Sequence, residues 1–175
     1  PAGRLEGRFE GGGESGDPEE LFAHCALLRA AQLAGAMERV VEMTAAYLGE
    51  REQFGRPLNR FQAVQHGLVR AAGEAAAAGM AVTAAAVAAS RGPALFEIAV
   101  AKARAGEAAG PVAALVHQLH GAIGFTRDLP LNLGTRRLWA WREDYGSEIF
   151  WQEWLGRRVA ALGGDGLWPA LTRVT

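Results

Sequence analysis

Arg51-Glu52-Gln53-Phe54-Gly55 and, about seventy residues later, Gln118-Leu119-His120-Gly121-Ala122 are the stretches whose residue types suit gripping a nucleotide. Arg51 offers a planar, permanently charged fork that matches a pyrophosphate. Phe54 adds an aromatic face, and Gly55 lets the backbone reverse sharply. The Gln118 amide can read an adenine edge or bond a ribose, and Gly121 lets the backbone approach a phosphate closely. Each set also has a plainer explanation. Arg51 can pair with Glu50 or Glu52 at a helix end, and Gly121 can be the left-handed residue that closes a helix. The residues alone leave both readings open.

Other reactive residues carry less. His117 and His120 can share a helix face, but no third ligand stands at bundle spacing, which argues against a metal centre. Trp139, Trp141, Trp151, Trp154 and Trp168 cluster late in the chain and read as core or subunit interface rather than as a substrate cage. Gly11-Gly12-Gly13 lacks the GK[ST] ending and the preceding strand of a phosphate loop.

The elements that must position these residues are helices. Residues 1–16 are rich in Gly and charge and read as a flexible leader or linker. Asp17-Pro18-Glu19-Glu20 is a helix start: a capping side chain, a proline suited to the first position, and acids at the positive end of the helix dipole. Apolar residues then recur at helical spacing to Tyr47, and Gly55 and Pro57 close this first helix near Glu52. A second helix is expected from Asn59 to about Ser90, and a third from Pro93 to His120, kinked or interrupted at Pro111. Gly121 to Pro130 reads as a loop. A shorter helix follows to about Trp141, then a turn at Tyr145-Gly146, a last helix to about Leu162, and a fraying tail from Gly163. No strand and no repeat is expected. The pattern predicts an all-α fold: an antiparallel four-helix bundle over residues 17–162, with additional short C-terminal helices.

Composition bounds the function. The 175 residues are half apolar and 21% charged, which is globular, with 18 basic against 19 acidic side chains. That balance, without a basic stripe, argues against nucleic acid as a partner. Nearly all the cations are arginine, Lys102 being the only lysine, and the Ala- and Gly-rich usage points to a GC-rich bacterial genome. Cys25 is alone, which excludes an internal disulfide. No uninterrupted apolar run reaches the length of a membrane span, and residues 1–16 lack a signal peptide's apolar stretch, so a cytoplasmic setting is expected.

Together and in this order, Arg51-Glu52-Gln53-Phe54-Gly55-Arg56-Pro57-Leu58 and Gln118-Leu119-His120-Gly121-Ala122-Ile123-Gly124-Phe125-Thr126 resemble the C-terminal helical domain of the acyl-CoA dehydrogenases. These flavoenzymes introduce an α,β double bond into a thioester. The match runs without a gap from about Ala34 to Tyr145, and Pro130 followed by Arg136 fits it. The resemblance implies FAD as cofactor, with Arg51, Gln53, Phe54, Phe61, Gln62, Val64, Gln118, Gly121, Ala122 and Ser147 as its contacts, several of them reaching a flavin bound by the adjacent subunit. Gln53 departs slightly, a small hydroxyl residue being common there. The resemblance also implies an acyl-CoA substrate in a larger assembly. The family's other two domains, which hold the flavin ring and much of the acyl chain, do not occur in this sequence, so this polypeptide alone is not expected to turn over substrate.

The catalytic position departs from the family. Where a glutamate, a glycine and a Thr or Ser usually stand, this chain has Tyr145-Gly146-Ser147. A phenol ordinarily stays protonated up to about pH 10 and makes a poor general base near neutrality. The family's alternative glutamate position, on the first long helix near Cys25 and Ala26, holds no carboxylate either. Glu143, Asp144 and Glu148 flank the turn but are displaced from it. No catalytic residue is therefore expected on this chain. The segment from Trp141 to Glu148 is similar to the non-catalytic subunits of heteromeric bacterial acyl-CoA dehydrogenases, some acting on steroid side chains, which implies a homo-oligomer or a heteromer with a catalytic sister subunit. The competing expectation is a helical module kept for assembly, without bound flavin.

Overall fold

The computed structural model describes residues 17–126 and 129–172, so the Gly-rich leader lies outside the described residues. Helix α1 (Pro18–Glu50) starts where the sequence predicts: the Asp17 side chain accepts a hydrogen bond from the Glu19 amide at 3.0 Å, and Pro18 follows it. Ala23, Ala26, Ala30, Leu33, Met37, Val40, Thr44 and Leu48 form its buried stripe, spaced three or four residues apart. Two-residue strands β1 (Glu52–Gln53) and β2 (Arg56–Pro57) follow, then a 3-10 turn (Leu58–Arg60). Helices α2 (Gln62–Ala89), α3 (Leu95–His120), α4 (Leu131–Glu143) and α5 (Glu148–Thr172) complete the fold, with a 3-10 segment (Gly121–Phe125) after α3. The fold is all-α, as expected.

Helix α3 is the axis of the bundle and packs against α1, α2, α4 and α5. Its inner faces are mostly small: Ala99, Ala101, Ala105, Ala108, Ala109 and Ala113 are buried, and Gly106 sits directly beneath Glu148 of α5. Small side chains let helix axes approach closely, so dispersion between backbones replaces the usual leucine interdigitation. Helix α2 is long and apolar enough to cross a membrane by length and composition alone. Its apolarity is that of alanine, however, and it packs along α3 and α1.

Four expectations are corrected. A short antiparallel hairpin is present, because Phe54 and Gly55 both adopt positive φ (54° and 78°), the geometry of a primed hairpin turn. Helix α3 continues through Pro111 without a break. Pro111 and Glu107 are both exposed, so the Glu107 carbonyl that loses its helical partner is open to water. The expected loop after His120 begins as a 3-10 helix. Beyond Leu162 the chain does not fray at once: Gly163, with φ 68° and ψ 171°, breaks the helical path, and a further helical segment runs to Thr172.

Lys102 is the largest departure from an apolar core. Its side chain is fully buried, and its Nζ donates to the Arg142 carbonyl at 2.8 Å and the Gly146 carbonyl at 2.6 Å. It thus ties the connection between α4 and α5 to α3. Burial pushes the ammonium from the usual 10.5 down to about 8, opposed by the charges of Glu148, Glu143 and Asp144 and assisted by Arg142.

Two predictions follow from this packing. A methyl group at Gly134 would lie 2.6 Å from Val40 Cγ1, whereas one at Gly73 meets nothing within 4 Å. Gly134→Ala is expected to cost about 1–3 kcal/mol through overpacking, and Gly73→Ala to gain about 0.5–1 kcal/mol, read from urea unfolding of the two variants. For Lys102 the folded pKa lies below the unfolded one, so between about pH 8 and 10.5 the unfolded chain binds more protons. Its contribution to stability is present above about 10.5 and is lost as pH falls through about 8. The urea midpoint of the parent chain should rise across that window relative to Lys102→Met; a constant or falling difference would contradict the shift.

Candidate functional site

The nucleotide-gripping candidates gather at one end of the bundle, where α1 ends, α2 begins and α3 ends. The Arg51 amide donates to the Tyr47 carbonyl and closes α1, and the Arg51 carbonyl accepts from the Leu58 amide at 2.9 Å. The backbone here is anchored while the exposed Arg51 guanidinium makes no hydrogen bond or ion pair with the described residues. The plainer reading, a pair with Glu50 or Glu52, is not realised. Gln53 turns its amide back onto the Glu52 carbonyl. Phe54 is 91% exposed at the hairpin tip and touches Phe61 edge-on, with the Arg56 guanidinium 4.1 Å from the Phe61 ring.

Beside the hairpin, Leu58, Val64, Gly67, Arg70, Leu115 and Gln118 line a cavity of about 500 Å³ between α2 and α3. Gly67 is what lets these helices close on each other, a methyl there falling 3.1 Å from Leu119. Val64 and Gln118 therefore share one cavity, and Gln62 is exposed in the first turn of α2. Gly121, with φ 67°, ends α3 by donating to the His117 carbonyl, and nothing crowds its Cα. Ala122 beside it is exposed. The two histidines do separate work. His117 Nε2 lies 2.8 Å from Thr135 Oγ1 and the ring stacks on Phe125; His120 stacks on Tyr47. Burial, then the charge of His120, push the His117 imidazole below its usual 6.5.

Ser147 belongs elsewhere. It lies beside the α4–α5 connection that Lys102 ties to α3, whereas Gln118 stands more than four turns further along α3, about 24 Å by the helical rise. There Ser147 Oγ accepts a weak bond from the Phe150 amide, at 3.4 Å, in the first turn of α5. Tyr145 and Gly146 both adopt positive φ, 56° and 90°. The Tyr145 side chain opens into a groove of about 400 Å³ shared with Phe22, Arg29, Asp144 and Gly146. Phe22 and Arg29 stand one turn either side of Cys25 and Ala26 on α1, so the groove runs along that stretch of the helix, while Ala26 itself is fully buried.

The flanking carboxylates are committed to ion pairs. Asp144 pairs with Arg29 at 3.0 Å, and Glu143 lies 3.6 Å from Arg142. Glu148 pairs closely with Arg142. Burial would raise the Glu148 carboxyl, but the Arg142 hydrogen bond, its own backbone amide and the charges of Arg142 and Lys102 prevail and hold it below the usual range. A carboxylate stabilised in that way is a weakened base.

Sequence reasoning missed Lys102 and Arg29. The available signal for Lys102 was a lone lysine on the buried stripe of α3, in register with Ile98, Ala99, Ala105 and Ala109. Among the tryptophans, Trp151 is core and donates to the Tyr145 carbonyl at 3.0 Å, Trp154 is half-buried, and Trp139 and Trp168 are exposed.

The family model described as "Acyl-CoA dehydrogenase, C-terminal domain" matches residues 18–147. The chain is 39% identical over 131 residues to a 3-sulfinopropanoyl-CoA desulfinase of Paraburkholderia xenovorans, covering 75% of this chain and 32% of that protein. It is 35% identical over 122 residues to the acyl-CoA dehydrogenase IpdE2 of Mycolicibacterium smegmatis, covering 70% and 38%. The ChsE4–ChsE5 complex of Mycobacterium tuberculosis superposes with a TM-score of 0.77 at 31% identity, over 80% of this chain and 38% of that one. The chain thus spans about a third of the length of these relatives. It belongs to the acyl-CoA dehydrogenase family and carries that family's C-terminal helical domain.

Proposed function

We propose that this chain is the C-terminal module of a flavin-dependent enzyme acting on acyl-CoA thioesters, and that it contributes to FAD binding across a subunit interface without supplying the catalytic base. The observation that carries the reading is the hairpin end of the bundle. A cation without a partner among the described residues, an aromatic ring 91% exposed, and an amide-lined cavity all face outward there. These groups fit an adenosine diphosphate: Arg51 for the pyrophosphate, Phe54 and Phe61 as apolar faces, and Gln118, Gly121 and Ala122 for adenine and ribose. Gln53, Gln62 and Val64 border the same surface. Hydride acceptance from the acyl β-carbon is the chemistry that FAD supplies when bound.

This chain's own residues hold the cofactor's distal end and shape one wall of the acyl groove. Tyr145 fills the base position with a phenol, while Asp144 and Glu148 are held by Arg29 and Arg142. The α-proton is therefore taken by a group outside these residues, and a sister subunit is its natural source. Ser147, at the same end as Tyr145, stands apart from the hairpin cluster and serves a different stretch of the ligand.

A second reading rests on the 39% identical relative named 3-sulfinopropanoyl-CoA desulfinase. Loss of a sulfinate group does not oxidise the acyl chain, and a turn without a carboxylate suits an acyl group that is itself anionic. Supplying the complete assembly with 3-sulfinopropanoyl-CoA and with saturated acyl thioesters separates the two. Sulfite release without flavin bleaching selects desulfination; anaerobic bleaching by a saturated thioester selects dehydrogenation.

In that assembly, Arg51→Ala should weaken FAD binding roughly tenfold to hundredfold, since hydrogen bonds to charged groups contribute about 1.5–3 kcal/mol. Arg51→Lys should restore part of it, because a point charge replaces a fork. Equal flavin retention in all three forms would make Arg51 a helix-end residue only. Tyr145→Phe, which keeps the ring and removes the hydroxyl, should leave turnover within a few-fold, whereas loss of a true general base costs about 10²–10⁴-fold.

A further inference from the structure

We propose that Lys102 is a positioning residue for the acyl groove: it fixes the turn between α4 and α5 so that whatever side chain stands at residue 145 is aimed at the groove beside α1. The inference rests on the functional reading above and assigns a role to a residue that the reading does not use.

The turn is held from three directions. Lys102 Nζ bonds the Arg142 carbonyl before residue 145 and the Gly146 carbonyl after it. Trp151 Nε1 bonds the carbonyl of residue 145 itself. The close pair of Arg142 and Glu148 joins the end of α4 to the start of α5, over Gly106 of α3.

These anchors hold a backbone that is costly on its own. A left-handed conformation is unfavourable for an ordinary L-residue, because its Cβ crowds the following carbonyl oxygen, and Tyr145 adopts one at φ 56°. At Gly146 the next position is left-handed too, and a methyl there would lie 2.6 Å from Phe150. Such conformations persist where the surroundings over-determine them.

The Tyr145 side chain contributes little to this. It makes no hydrogen bond with the described residues, and its contacts are Phe22 at its edge, with ring centroids 6.1 Å apart, and the Arg29 guanidinium 6.0 Å from the ring. The direction of the Cα–Cβ bond is therefore set by the backbone anchors and is independent of the residue type. A carboxylate placed at residue 145 would inherit the same aim, and the device that aims it is Lys102.

The test uses the full-length polypeptide with any partner subunit, as the parent, Lys102→Met, Tyr145→Glu and the double variant. Two readouts are taken. In amide hydrogen exchange, Lys102→Met should speed exchange in the 144–151 segment at least about tenfold while α1 and α2 keep their protection. Unchanged exchange in the turn overturns the proposal, and so does equal loss of protection throughout the bundle. In deuterium exchange at the α-carbon of bound butanoyl- and octanoyl-CoA, the carboxylate introduced by Tyr145→Glu takes the α-proton and returns a deuteron. Adding Lys102→Met should lower that rate roughly 10²-fold with thioester affinity unchanged, as expected for misplacement of about an ångström. Equal rates in the single and double variants overturn the proposal. Absence of α-carbon exchange in Tyr145→Glu counts against the functional reading instead, and amide exchange then decides on Lys102. Where Lys102→Met does not fold, Lys102→Gln, with two donors on a shorter stem, takes its place.

Discussion

Burying one ammonium in a core built largely of alanine is the constraint from which the rest of the structure follows. Alanine and glycine along α3 bring four other helices close to it, which leaves no room for water around Lys102. The charge must then be satisfied by fixed carbonyls, and the two available belong to the α4–α5 connection. Leaving the ammonium unbonded would strand one buried charge beside two partly buried acceptors. The close packing of the bundle and the shape of the turn at Tyr145 are therefore one feature, joined through a single side chain.

The two ends of the domain follow different physics. At the hairpin, an anchored backbone presents side chains that find few partners: Arg51 is unpaired among the described residues and Phe54 is nearly fully exposed. Groups left in that state on a rigid frame are suited to a ligand or a neighbouring chain. At the α4–α5 turn, by contrast, the flanking carboxylates are already paired, and what remains is a shaped groove with a phenol on its wall. The separation of about 24 Å along α3 fits a long ligand touched at two points better than a compact one.

Much of the fold was legible because its signals were local. The Asp17 cap, the helical periodicity up to Tyr47 and the breaks near Gly55 and Pro93 each depend on residues within a few positions of one another, although Leu21 and Leu28 turn out exposed and alanines fill the buried stripe. The hairpin was not legible, since two-residue strands are too short to show alternation and the left-handed Phe54 carries no composition signal. Pro111 misled because proline's effect depends on which face it occupies, and exposure is a tertiary property. Gly163 misled for the opposite reason: it breaks the helical path locally, but the next residues resume it. At the site, the pair of motifs picked out residues that the fold gathers at one end of the bundle. The role of Lys102 stayed hidden because its partners lie about forty residues away in sequence.

The central claim is that the hairpin end of this module meets the adenosine end of FAD. Photolabelling the full-length assembly with 8-azido-FAD and mapping the adduct tests it most directly. The account predicts label in the segment from Arg51 to Val64 or from Gln118 to Ala122, abolished by excess FAD. Label confined to the Tyr145 end, or label in the two segments that excess FAD leaves in place, would contradict it.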